Sequence, residues 1–259
     1  MHFHLPKPLH GWREFAGEVG IIVVGVLIAL MAEQLVESLH WSAKVSDARR
    51  RLAPELGEDL GQAELLDRSR ACTERRLDQL ATAVADAQRS GRLPPVGDIG
   101  QPYWFTWDMG IWQSLVADQT ATHFDREDLT AYTSTYQFIV SIEAASKEQM
   151  ETWTTLTGLS GPGRQFDSGE ANFYFQAITH ARFLTRFISG AAIRVQQNAA
   201  AYRLPIDHTV FHSYADLQPG TWFCAPVSTT GAPSYGQAPW KDVVQRMRAH
   251  PITHNSNGM

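Results

Sequence analysis

The sequence predicts an all-α protein: one N-terminal transmembrane helix, a bundle-like helical soluble domain, and an irregular tail rich in proline and glycine. Three observations predict it. An uncharged apolar run occupies residues 19–32, leucines recur at intervals of three and four from Leu52 onward, and six of the thirteen prolines fall after residue 204. The corresponding segments are a short N-terminal tail at 1–15, an anchor at 16–40, a helical domain at 41–203 and a wrapping tail at 204–259 with a short helix near 239–249.

Composition narrows the function classes before any motif is considered. The 259-residue chain is long enough to bury a core, and its hydrophobic fraction of 44% is ordinary, so any membrane signal must be local. A formal net charge of -5 leaves no electrostatic footprint for wrapping nucleic acid. Cys72 and Cys224 are the two cysteines, too few for a disulfide-built scaffold or a four-cysteine zinc site. They form one bridge or stand as two buried thiols.

The run VGIIVVGVLIALMA at 19–32 is flanked by Glu18 and Glu33. As a helix, fourteen residues rise about 21 Å, short of a hydrocarbon core of about 30 Å. Phe15, Ala16 and Gly17 lengthen the apolar stretch on one side, and Leu35, Val36 and Leu39 on the other. Trp12 and Trp41 bracket it at a helical span of roughly 43 Å, which matches the spacing of the two headgroup layers and marks both as membrane-interface residues. A cleaved signal peptide is the first alternative, opposed by Glu14 and Glu18 ahead of the run and by the lack of a small-x-small cleavage site. A buried helix of a soluble protein is the second. Along the helix, Glu18, Gly25, Ala29 and Ala32 fall within about 60° of one another, a small-residue stripe suited to close packing against another helix. Headgroup placement of Glu18 is the plainer reading of the same stripe.

The stretch GEVGIIVVGVLIAL at 17–30, followed by an acid-rich helix, is similar to the N-terminal anchor of a family of bacterial single-pass membrane proteins whose opening reads roughly GEIxLVxIGILIAL. WDMGIWQSLVADQTATHFDREDLTAYTSTY at 107–136 resembles a helical stretch in the same family. That likeness implies an inner-membrane anchor with its N-terminus inside and its domain outside, in the periplasm. No catalytic residue comes with it, since the family has no established activity. Basic residues count the other way: Lys7 and Arg13 precede the run, whereas Lys44, Arg49, Arg50 and Arg51 follow it. Those three arginines would touch anionic headgroups or form a solvated helix face.

Beyond the anchor, Leu52, Leu56, Leu60, Ala63, Leu66, Leu77, Leu80, Val84 and Ala87 trace an amphipathic stripe interrupted at Arg70 and Thr73. The interruption favours packing within the domain over a long coiled coil. Pro54 predicts a fresh helix or a kink in the existing one, read as helices at 34–51 and 55–90, and Gly91 with Pro94 and Pro95 predicts the end. Tyr103, Trp104, Phe105, Trp107 and Trp112 read as core aromatics, with a ligand platform as the sharper alternative. Further helices are expected at about 107–119, 125–151 and 168–202, the last capped near Ser168 and Glu170. Its apolar series, Phe173, Phe175, Ile178, Phe183, Leu184, Phe187, Ile188, Ile193 and Val195, is interleaved with His180, Arg182, Arg186 and Arg194, which predicts a central core helix with a basic face rather than a second span.

The chemistry-bearing candidates are few. His208 and His212 have the four-residue spacing of two metal ligands, with Asp207 and Cys224 as further donors, but Pro205, Thr209 and Val210 disfavour the required helix. GLSGPG at 158–163 lacks the ending of a phosphate-binding loop and reads as a turn. No G-x-S-x-G elbow, paired-cysteine motif or kinase signature occurs. These readings predict a non-enzymatic, cofactor-free interaction or scaffold protein whose partners are the lipid bilayer and other membrane-protein helices or further copies of itself. An anchored sensor or enzyme built on the aromatic cluster and residues 207–224 is the rival.

Overall fold

The computed structural model describes residues 11–207 and 223–228. The described residues are predominantly α-helical, in four α-helices: α1 (Trp12–Ser90), α2 (Gly110–Ala117), α3 (Arg126–Leu156) and α4 (Ser168–Tyr202). Two short strands, β1 (Arg92–Leu93) and β2 (Arg164–Gln165), pair antiparallel with Arg92 opposite Gln165 and Leu93 opposite Arg164. The chain forms two compact units, one drawn from Met1–Ala53 with Gly110–Leu129 and the other from Pro54–Met109 with Thr130–Met259. Helices α1 and α3 contribute residues to both.

Helix α1 does not break at Pro54, where two helices were expected; the proline lies inside one continuous element. Proline removes the N–H that would bond the carbonyl of Arg50, and that loss is tolerated at an exposed ring, where water can take the orphan carbonyl. The helix stops where expected. Gly91 adopts a left-handed φ of 69°, a conformation that ends helices and suits a residue without a Cβ.

In the first unit, the described buried residues include Val45, Ala48, Leu52, Trp112, Leu115, Ala121 and Phe124. Helix α2 is shorter than the expected 107–119, beginning only at Gly110. Ion pairs fasten the surface: Lys44 to Asp118 at 3.1 Å, and Arg49 to Asp125 at 2.8 Å and Asp128 at 2.5 Å. Arg50 bonds Asp47 at 3.0 Å, so two of the three arginines read as headgroup contacts have carboxylate partners within the protein. Asp125 also caps α3, accepting from the Asp128 N–H at 2.9 Å.

In the second unit, Leu77, Leu80, Val84 and Ala87 of α1 share a core with Trp153 and Leu156 of α3, and with Ala171, Tyr174, Ile178 and Ala181 of α4. Every member of the predicted leucine stripe is buried. Thr73, read as an interruption, is also buried, its hydroxyl donating to the Ser69 carbonyl at 3.3 Å. Helix α4 has the expected bounds. Its N-cap is Asp167 rather than Ser168, in a capping box with Glu170. Helix α3 runs five residues past the expected end, to Leu156.

The turn at 158–163 is confirmed. Gly161, at a φ of 137°, exchanges backbone hydrogen bonds with Val96 at 2.7 and 3.0 Å. Its N–H is thereby committed to the Val96 carbonyl and is not available to a phosphate.

Residues 223–228 are clasped onto α1. Cys224 forms a disulfide with Cys72. The buried Arg76 guanidinium donates to the carbonyls of Phe223 at 2.8 Å and Ala225 at 2.7 Å, and reaches that of Asp98 at 3.4 Å. Burial lowers the Arg76 pKa, an effect that Asp98 opposes. One turn on, Gln79 accepts from the Val227 N–H at 3.1 Å, while Ser228 accepts from the Gly97 N–H at 2.7 Å. Phe223 completes the seal in the core beside Trp153 and Tyr103. The expected helix near 239–249 lies outside the described residues.

Removing the cross-link tests the clasp. A loop of this length (sequence separation 152) is worth about 5 kcal/mol in the chain-entropy model, so the double variant Cys72→Ala/Cys224→Ala should lose up to about that much in denaturant unfolding, and thiol reduction of the wild type should reproduce the loss.

Candidate functional site

Glu18, Gly25, Ala29 and Ala32 all lie exposed on α1, and a Cβ added at Gly25 would meet nothing within 4 Å. No part of the most apolar 18-residue window of this helix is buried. Trp12 is exposed. Trp41 is half-buried, stacked on the His123 ring at a centroid distance of 3.5 Å, with Lys44 4.9 Å from the indole on its own helix. The 3-10 turn Thr120–His123 thus supplies a protein partner for one of the two predicted interface tryptophans.

The aromatic segment after residue 102 divides. Phe105, Trp107 and Trp112 are buried, Tyr103 is half-buried, and Trp104 stands exposed. The burial of most of this cluster favours core over ligand platform. Of the metal candidates, His208 and His212 lie outside the described residues, as do His2, His4, His10, His250 and His254. Asp207 donates its backbone N–H to the Gly57 carbonyl at 2.9 Å. Cys224 is committed to the disulfide. Among the described residues no group of three or more His, Cys, Asp or Glu side chains could hold a metal ion.

A site that sequence reasoning missed lies on the second turn of α1 after Pro54. Glu55, Asp59 and Gln62 are buried at i, i+4 and i+7, on the same helical stretch as Leu56 and Leu60. Tyr136 of α3 donates its phenol hydrogen to Glu55 Oε1 at 2.7 Å, and the Asp108 N–H donates to Asp59 Oδ1 at 3.3 Å. Asp59 is only 1% exposed. Its Oδ2, the Gln62 Oε1 and the Trp107 indole N–H are buried without a hydrogen-bond partner among the described residues. Burial pushes the Asp59 carboxyl up to about 8; the Asp108 N–H opposes this, and the carboxylates of Glu55, Asp108 and Glu58 reinforce it. Tyr136 is raised as well, by burial and then by its bond to Glu55. The sequence signal was present in the spacing, since three polar residues at helical core intervals occupy the positions of an apolar face.

With its carboxyl pushed up to about 8, Asp59 is suited to retain a proton. Glu55 and Asp59 are both buried. No family model, curated protein or solved structure matches this chain.

Two predictions follow the geometry. With a folded pKa of about 8 against an ordinary 3.8, the Asp59 contribution to stability is full below about pH 4 and is lost as pH rises to about 8. Asp59→Asn should therefore flatten the decline over that window, gaining on the order of a few kcal/mol relative to wild type at pH 8–9 and little at pH 4, as read from unfolding midpoints. Tyr136→Phe, which deletes the bond to Glu55, should cost about 1–3 kcal/mol at pH 7 in the same assay.

Proposed function

We propose that this chain is a membrane-anchored helical interaction protein, held in a bacterial inner membrane by the N-terminal part of α1 and carrying its domain on the outer side. One observation carries the reading: the apolar run of α1 has no protein cover. Val19, Ile21, Ile22, Val23, Val24, Val26, Leu27, Ile28, Leu30 and Met31 are all exposed. At roughly half of a full burial energy each, they leave on the order of 10 kcal/mol of apolar contact unmade in water, which a hydrocarbon phase would supply.

Continuity of α1 from this run into the domain core argues against a cleaved leader, because cleavage would cut within an unbroken helix. The disulfide supports the outward orientation. Cys72–Cys224 is the kind of bond that persists in an oxidising compartment and is rare in the bacterial cytosol, and this outweighs the count of basic residues after the anchor. The likeness of residues 17–30 to the bacterial anchor family points the same way. A binding role is favoured over catalysis because the perturbed carboxyl of the domain is sealed inside it. On this reading the stripe of Glu18, Gly25, Ala29 and Ala32 meets another membrane helix, of a partner protein or a second copy.

Reporter fusions test the proposal. The full chain with a C-terminal reporter active only outside the cytoplasm should give signal in the membrane fraction, and the matching internal reporter should be silent. A soluble full-length protein would overturn the anchor, and a membrane-bound internal signal would reverse the orientation. Migration of the wild type on non-reducing gels should match that of a cross-linked chain, with both thiols inaccessible to alkylation before reduction.

A further inference from the structure

Helix α4 carries more apolar surface than the domain uses. Ile178, Leu184, Ile188 and Val195 are buried as expected, but Phe173, Phe183 and Phe187 remain 56, 63 and 45% exposed, which corrects their reading as core residues. They lie together. At 100° per residue the three, with Gln176 and His180, fall within about 80° of one another, and the rings of His180, Phe183 and Phe187 stack in series at 6.5 and 6.4 Å. A shallow groove of about 530 Å³ beside Phe175, Gln176, Thr179 and Phe183 gives the face a concavity. A contiguous exposed aromatic surface of this kind marks an interaction site.

Charge decides its occupant. Arg182 is paired with Asp78 at 2.5 Å and His180 with Glu148 at 2.9 Å. Arg194, within the same sector, and Arg186, on its flank, are exposed and have no carboxylate partner among the described residues. A second copy packed symmetrically here would set these arginines against each other. The chain's own residues 229–259 carry Lys241, Arg246 and Arg248 against a single Asp242, the same sign again. We infer that the α4 face docks an acidic amphipathic helix of a partner protein, its apolar ridge on Phe173, Phe183 and Phe187 and its carboxylates on Arg186 and Arg194. This deepens the interaction-protein reading and rests on it.

The test uses the full chain in nanodiscs of phosphatidylcholine and phosphatidylglycerol. The probes are two labelled eighteen-residue helical peptides with leucine at helical intervals, one bearing glutamates on its polar flanks and the other lysines in their place. Fluorescence anisotropy should show the acidic peptide binding at least tenfold more tightly. Phe183→Ser/Phe187→Ser should abolish that binding, and Arg186→Glu/Arg194→Glu should invert the preference; all four positions are exposed, and an unchanged thermal melt verifies each fold. Binding of neither peptide, or binding indifferent to both double variants, overturns the inference. So does a photoreactive residue at position 183 that, without peptide, cross-links to lipid, to residues 229–259 or to a second copy. Failure here leaves the reporter and fractionation results standing, and a soluble chain would sink the anchor without altering the peptide ranking.

Discussion

The structure depends on one helix having to satisfy two surroundings. From Trp12 to Ser90, α1 is continuous, yet its apolar residues before Glu33 are uncovered while its leucines from Leu52 to Leu80 are sealed in protein. Hydrogen bonding within the helix satisfies the backbone whether or not protein covers the side chains, so the helix runs on from an uncovered stretch into a covered one. The elements of the second unit are then organised by the face α1 offers: α4 bonds it through Arg182 to Asp78 and Ser189 to Asp67, and residues 223–228 are tied to it by Cys72, Arg76 and Gln79.

Buried polar groups set the specificity of this packing. Among the described residues Arg76 has no carboxylate within ion-pair distance and instead finds carbonyl oxygens, so its charge is stabilised by peptide dipoles of a segment far away in sequence. Gln149 and Thr185 meet at 2.9 Å between α3 and α4, and the Trp153 indole N–H reaches the Gly100 carbonyl at 2.5 Å. Each bond can be made in one register only, because a slip of either partner would strand a polar atom in the core. The cluster at Glu55 and Asp59 is the exception. There the cost of burying acids is met partly by retaining a proton.

Much of the helical frame was legible in the sequence, and for reasons that explain what was not. The stripe from Leu52 to Ala87 and the bounds of α4 follow from periodicity, which a helix imposes on any chain that buries one side. Gly91 announced its turn because a left-handed residue without a Cβ has a local signature. Pro54 misled because the cost of a lost N–H depends on whether water reaches the freed carbonyl, which is a tertiary fact. Asp59 and Glu55 stand at core spacing in the sequence, but whether a carboxyl there is buried depends on Tyr136 and Asp108, remote in sequence. The pairing of Cys72 with Cys224 needed the fold. On α4, periodicity marked Phe173, Phe183 and Phe187 as apolar without indicating which apolar residues find partners.

The clasp also determines how the chain would carry load. A pull between the N-terminus and anything joined beyond residue 228 would run along α1 to Cys72 and cross directly to Cys224. Tension would bypass residues 73–223, leaving α2, α3 and α4 mechanically slack within a covalent ring. Under that geometry α2, α3 and α4 keep their packing while force is transmitted past them, and only rupture of the sulfur bridge would put these three helices in series with the strain.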